Sequence, residues 1–254
     1  MAKQLIYQIS LGETPAFYTQ CISSVAAYCE RYGIDHVIQR EPILKIRPVK
    51  SARSENALRL GYLPIYEKEQ AFAYLDDYDQ VAVIDADVYI RPDAPNVFDE
   101  LGSATFAAVL ERDMPLTPAY LDKIQKYSKG QYTTLTDVSW GWNERGAAFY
   151  NMGVMVFSNA LRDYLNGQTP RQFIQRPEFE RFVNGEGHWK WSTDQTLLNY
   201  WVKQTGMPTR NLNWRWNALY GGAKSVEGAY FVHFFLSAKL PRKGAEIPGI
   251  IAGM

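Results

Sequence analysis

The stretch Gln80-Val81-Ala82-Val83-Ile84-Asp85-Ala86-Asp87-Val88-Tyr89-Ile90 decides the fold. Four of its first five residues are apolar and consecutive, and polar residues bound the run. A short, unbroken apolar run predicts a central strand covered on both faces, since a half-solvated strand would alternate. Side chains two apart on a strand point the same way, so Asp85 and Asp87 are expected to converge while Ala86 turns toward the sheet. Two carboxylates held close repel each other, which raises a pKa or recruits a cation. An ordinary turn also places Asp after a strand. Here, however, Val88-Tyr89-Ile90 follows at once, and acids wedged between apolar runs need a partner. The carboxyl end of a central strand is where open α/β sheets bind ligands. A divalent cation at that edge would offset the charge of a departing diphosphate.

Upstream, Lys3–Ile9 alternates as a strand and Gly12-Glu13-Thr14-Pro15 breaks it. Phe17, Cys21, Val25, Tyr28 and Tyr32 recur at three- and four-residue steps, so a helix runs to Gly33, and His36–Arg40 is a second strand. This β-α-β opening suits a nucleotide-binding α/β sheet, although it lacks a G-x-G-x-x-G turn. Pro42–Leu63 gives no clear pattern; Pro64 opens a helix carrying Phe72 and Leu75 inward. Downstream the expectations are a strand at Thr105–Leu110, a short helix at Pro118–Tyr127 and a long loop from Gly130 to Arg145. A strand at Ala148–Phe157 is interrupted by Asn151 and Gly153. A helix follows from Ser192-Thr193-Asp194-Gln195 to near Gly206, and a last strand spans Ala229–Leu236 around His233.

The chain has 254 residues with 27 basic and 27 acidic side chains, a formal charge of zero. It has no basic excess or stripe, which argues against nucleic acid as a partner. Cys21 and Cys29 lie eight residues apart in a helical pattern, roughly 12 Å, too far for a disulfide. They are expected as buried thiols in a reducing compartment. No segment approaches about 18 unbroken apolar residues, so a cytoplasmic protein without a membrane span is expected. Trp140, Trp142, Trp189, Trp191, Trp214 and Trp216 fall in polar, loop-like stretches. Each is a core residue or a flat face for a sugar ring. Trp140 and Trp142 are candidates for the acceptor side by position.

Several polar residues stand in apolar surroundings. Asn151 is polar within its strand, and Gly153 would let a ligand approach the backbone; a bulge accounts for both equally well. Ser192-x-x-Gln195 matches a capping box, which competes with a catalytic role for Gln195. Asp194 falls in the first helical turn, where the helix dipole favours a carboxylate. His233 lies in Tyr230-Phe231-Val232-His233-Phe234-Phe235, either as a bonded core residue or as a metal ligand.

The ordered set Asp85-x-Asp87, Asn151-x-Gly153, Asp194-Gln195-x-x-Leu198-Asn199 and His233-x5-Lys239 resembles the glycogenin-like family 8 glycosyltransferases and neighbouring retaining families. The resemblance implies an α/β, Rossmann-like GT-A fold with a central, mostly parallel mixed sheet flanked by helices. It implies a single domain over residues 1–254, its nucleotide-binding half about 1–110 and its acceptor-binding half about 111–254. It further implies a nucleotide-diphosphate sugar donor, usually UDP-linked, and Mn²⁺ or Mg²⁺ held by Asp85, Asp87 and His233. A mixed oxygen and imidazole set suits Mn²⁺ better than Mg²⁺. By the same resemblance Asp85-Ala86-Asp87, Lys68, Gly153 and Lys239 contact the donor, with Lys239 neutralising the leaving diphosphate. Asn151, Asp194 and Gln195 act near the reacting carbon. Transfer to an acceptor hydroxyl would proceed with retention, and Asp194 is the nearest candidate for a carboxylate beneath C1.

The chain departs from that pattern in three places. Leu236 stands where the family has Gly, Leu240 where it has Pro, and Thr196 where a second Asp is common. A haloacid-dehalogenase-like phosphatase also uses D-x-D-x-V, satisfied by Asp85 to Val88, but places it near the N-terminus with a later acid cluster. A carbohydrate-binding protein with a decayed transferase site is the non-enzyme alternative.

Overall fold

The computed structural model describes residues 2–48, 60–191, 193–236 and 239–254. Most of Pro42–Leu63's unassigned centre, Ser192 and the Trp191 side chain lie outside the described residues.

The main sheet has six strands in the order β2-β1-β3-β6-β5-β7. They are β1 (Gln4–Ile9), β2 (Asp35–Gln39), β3 (Gln80–Ile84), β5 (Phe106–Leu110), β6 (Tyr150–Ser158) and β7 (Thr209–Asn211). β1 runs parallel to both β2 and β3, and β5 parallel to β7; β6 alone is antiparallel to its neighbours β3 and β5. Every apolar residue of β3 and the whole of β5 are buried. Continuous apolar runs therefore sit at the sheet's centre, where both faces are covered.

Helix α1 (Phe17–Tyr32) links β1 to β2 and buries Phe17, Cys21, Val25, Tyr28 and Cys29 on one face. It stops at Gly33, whose φ of 65° is the left-handed cap conformation that a side chain would disfavour. Both cysteines are buried and free, and burial pushes the Cys29 thiol up to about 12. The segment Pro64–Tyr74 is a 3₁₀ helix beneath β3.

Helix α2 (Pro118–Tyr132) runs five residues beyond the expected end, into the stretch expected to be loop. Thr117 caps its start by accepting from the Tyr120 amide. Ser128, Gln131 and Tyr132 continue its buried face, and Tyr132 stacks on Trp140 at 4.2 Å. That contact makes Trp140 a core residue, 3% exposed, whereas Trp142 remains 45% exposed. Helix α3 (Asp194–Thr205) is capped by Thr193, whose hydroxyl accepts from the Gln195 amide.

A second, three-stranded sheet is ordered β4-β9-β8, from β4 (Val88–Ile90), β8 (Ala218–Leu219) and β9 (Phe231–His233). β9 is three residues, not the eight expected. Beyond it the Phe234 amide donates to the Asp87 carbonyl, and Phe234 joins a separate core with Phe17, Cys21, Leu240, Ile247 and Ile251. Leu240, standing where the family has Pro, is thus a buried anchor. Full burial of a side chain of this size contributes roughly 1.5–3 kcal/mol, so this core holds β9 against α1.

Candidate metal and donor site

The two acids meet for a different reason from the one expected. β3 ends at Ile84, and Asp85 to Val88 form a turn closed by the Val88 amide donating to the Asp85 carbonyl. A tight turn, rather than strand pleating, brings Asp85 and Asp87 to one side. The Asp85 amide is tied to the Gly153 carbonyl at 2.9 Å, which fixes the turn to β6. Ala86 is buried, 5% exposed.

Antiparallel pairing of β4 with β9 sets Val88 opposite His233. That register delivers the imidazole to the acids. His233 Nε2 lies 3.1 Å from Asp87 Oδ1 and 3.7 Å from Asp85 Oδ2. The three residues each offer a ligand atom, all within 4.8 Å of one another. Burial opposes charge on His233, but Asp87 and Asp85 outweigh it and hold the imidazole above its usual pKa. Burial likewise lifts the Asp85 carboxyl, only partly offset by Lys68.

Lys68 is at the centre of the site. Its ammonium lies 2.7 Å from Asp85 Oδ1 and 3.2 Å from Asp194 Oδ2, and donates to the Met152 carbonyl at 3.3 Å. Burial alone would pull its pKa down, yet Asp194 and Asp85 hold it above the ordinary range. Lys68 therefore ties β3's end to the first turn of α3. Gln195 makes a parallel tie, its Oε1 accepting from the Met152 amide at 3.3 Å.

Between Asn151 and Met155 the β5–β6 register jumps, so β6 carries the bulge that its polar residue and glycine allow. Asn151 Oδ1 accepts from the Gly153 amide at 3.0 Å and from Asn217 Nδ2 at 2.8 Å, while its Nδ2 donates to Glu111 Oε2 at 3.0 Å. Its side chain is thus spent within the protein. Gly153 is required for a reason other than ligand approach. A Cβ there would lie 2.3 Å from His233 Cε1 and 2.5 Å from Nδ1, so the imidazole occupies that space. Gly153→Ala is expected to displace the ring, costing about 2 kcal/mol as overpacking and weakening manganese binding. Urea unfolding and a manganese titration of that variant check both effects.

Lys239 is separated from the acids in sequence but lines a cavity of about 250 Å³ with Tyr120, Lys123, Tyr220, Phe235 and Leu236. Phe235 packs against both Tyr120 and the His233 ring, at 5.6 and 5.7 Å, which places this cleft beside the Asp85, Asp87 and His233 cluster. Burial and the charge of Lys239 both lower the Lys123 pKa. Leu236 adopts a φ of 56°, the left-handed conformation that favours glycine, and is 47% exposed. Leu236→Gly should raise stability by about 1 kcal/mol, measured by urea denaturation, because the strain is relieved without loss of a buried side chain. Thr196 points away from the site, its hydroxyl bonded to Tyr127 and Gln131. A cavity of about 590 Å³ between α1 and Tyr89–Pro92 does not include the acids or His233.

No protein-family model and no curated protein sequence matches the chain. Solved structures do match. Mouse xyloside xylosyltransferase 1, in its apo form, has a TM-score of 0.50 at 14% identity, covering 94% of this chain and 100% of its own. An active-site mutant of LgtC has a TM-score of 0.52 at 11% identity, covering 91% of this chain and 87% of its own.

The chain has the GT-A fold. Within the GT-A frame the acidic turn after β3 and the histidine of β9 fall on one edge of the main sheet. Sequence reasoning missed Glu111, Asn217 and Tyr18, which surround this edge. Glu111 was detectable: it follows the apolar β5 directly, the pattern that exposed Asp85. Tyr18 donates to Asp87 Oδ2 at 3.4 Å from the first turn of α1, a contact that no local pattern announces.

Proposed function

We propose that the protein is a metal-dependent glycosyltransferase that moves a sugar from a UDP-linked donor to an acceptor hydroxyl with retention. The observation that carries this is the convergence of Asp85, Asp87 and His233 within 4.8 Å at the edge of a GT-A sheet. Two carboxylates and one imidazole suit Mn²⁺, and His233 presents Nε2 while Nδ1 is engaged elsewhere. A divalent cation bound there supplies positive charge against the diphosphate as the C1–O bond opens.

The chain's own residues do the rest. Lys239, at the adjoining cleft, faces the leaving phosphate oxygens as a point charge. Asp194 and Gln195, fixed at the start of α3 by Lys68 and Met152, orient the donor sugar. Lys68 holds Asp85 and Asp194 in register, and Asn151 shapes the wall behind them. The acceptor hydroxyl attacks on the face that the diphosphate leaves, and its proton passes to the departing phosphate oxygen. Exposed Trp142 offers a flat face to the acceptor. The donor half spans about residues 1–110 and the acceptor half about 111–254. No helix among the described residues is long and apolar enough to cross a membrane, and two free, buried thiols fit a reducing cytoplasm.

A thermal-shift screen of nucleotide sugars with and without Mn²⁺ tests the reading, because a ligand of the native state raises the melting point by mass action. A UDP-sugar that stabilises only with Mn²⁺ and is then hydrolysed or transferred is the expected result. No stabilisation by any nucleotide sugar with Mn²⁺ would overturn it. NMR of the first-formed product reads the anomeric configuration, and an inverted product would refute retention.

A further inference from the structure

Behind the three cation ligands lies a buried chain of side chains in which every partner's role is forced. The backbone amide of Gly153 can only donate, so the Asn151 atom facing it at 3.0 Å is the oxygen. On the other side Glu111 accepts, so Asn151 turns Nδ2 toward it at 3.0 Å; Tyr120 also donates to Glu111, at 2.8 Å. Asn151 Oδ1 then accepts a second bond, which only Nδ2 of Asn217 can donate, at 2.8 Å. That leaves Asn217 Oδ1 as the atom 3.0 Å from His233 Nδ1. An amide oxygen only accepts, so Nδ1 carries the proton. Asp87 Oδ1, 3.1 Å from Nε2, accepts as well, so the charged ring donates on both sides. The Asp87 side chain is 13% exposed and can turn to solvent, whereas Asn217 is fixed, so Nε2 is the nitrogen that gives up its proton and keeps a lone pair when the ring is neutral.

Burial makes the arrangement costly to break. Asn217 is 0%, Asn151 8% and Glu111 4% exposed, and each would leave an unpaired buried polar group if rotated. Asn217 is also placed rigidly. It joins the 3₁₀ turn Trp214–Trp216 to β8, and β8 pairs with β9 so that Leu219 lies opposite His233.

We propose that Asn217, oriented by Asn151 and through it by Glu111, is a positioning residue that locks His233 as the Nδ1–H tautomer and so aims the Nε2 lone pair at the cation. The proposal deepens the metal-site reading but is tested apart from it. The ¹⁵N–¹H correlation spectrum of the metal-free protein, recorded at alkaline pH where His233 is neutral, reads the tautomer directly. With three histidines in the chain the signals are assigned by substituting His36 and His188 in turn. The Nδ1–H pattern is expected for His233. Asn217→Leu, close in volume but unable to bond, should give a mixture of tautomers and weaken Mn²⁺ binding about 10- to 100-fold. Asn217→Asp, which keeps an acceptor toward Nδ1, should preserve the tautomer.

An Nε2–H pattern in the parent protein would overturn the proposal, and so would an Asn217→Leu variant with unchanged tautomer and Mn²⁺ affinity. Because the parent spectrum needs no variant, poor folding of Asn217→Leu does not remove the test. If the parent binds no Mn²⁺ or nucleotide sugar yet shows the Nδ1–H pattern, the glycosyltransferase reading falls and the tautomer assignment stands.

Discussion

Asp87→Ala is expected to lower manganese-dependent turnover about 10³-fold while the protein still melts within a few degrees of the parent. The two halves of that expectation have separate causes. Asp87 offers one of three ligand atoms gathered within 4.8 Å, so its loss would remove one of three protein ligands to the proposed cation. Structurally it contributes little: its bonds are a 3.1 Å contact to His233 and a long 3.4 Å bond from Tyr18. Its backbone, which accepts from Phe234, is untouched by the substitution. Removing one carboxylate also relieves repulsion with Asp85, which offsets part of the lost bonding, about 1 kcal/mol. Turnover and Mn²⁺ affinity equal to the parent would refute the metal-site assignment. A collapsed melting point would instead give the residue a structural role.

The second large effect is at Lys68. Lys68→Met should destabilise the metal-free protein by about 3 kcal/mol in urea, more than most single changes. The ammonium bridges Asp85 and Asp194, whose side chains are 24% and 8% exposed, and methionine leaves both without their nearest cation. Breaking a pair from one side costs more than never having built it, since the remaining charge stays in the poorly solvated corner. Mn²⁺ should restore part of the lost stability, because a cation shared by Asp85 and Asp87 compensates one of the two orphaned acids. Equal urea midpoints for variant and parent would show that solvent already screens the pair. Failure of Mn²⁺ to rescue would indicate that Asp85 is not a ligand.

The candidate site was legible in sequence where one residue's chemistry clashed with its surroundings. Two acids between apolar runs and an imidazole in an aromatic strand were each visible alone, and the β4–β9 pairing explains why they meet. The resemblance supplied Lys68 only by approximate spacing, yet it is the hub, because a 3₁₀ helix sets its position without a helical period to read. Gly153 was singled out as a place where a ligand could approach the backbone, whereas the group pressing on it is an imidazole from another sheet, 80 positions away in sequence. Asn217 gave no signal at all. It sits between a tryptophan-rich turn and a two-residue strand, and its importance arises from partners at positions 151 and 233. Trp140 was ambiguous for the opposite reason: its polar, loop-like context left both a core place and the acceptor side open, and an extended α2 covers it.

The ammonium of Lys68 works as a resident counter-ion. An acidic corner that depended wholly on a visiting cation would spring apart each time product and ion departed together. Here Lys68 bridges Asp85 and Asp194 from within the chain, so under the proposed function the corner would meet each new donor already folded, and the exchange of ions would not wait for the fold to reassemble.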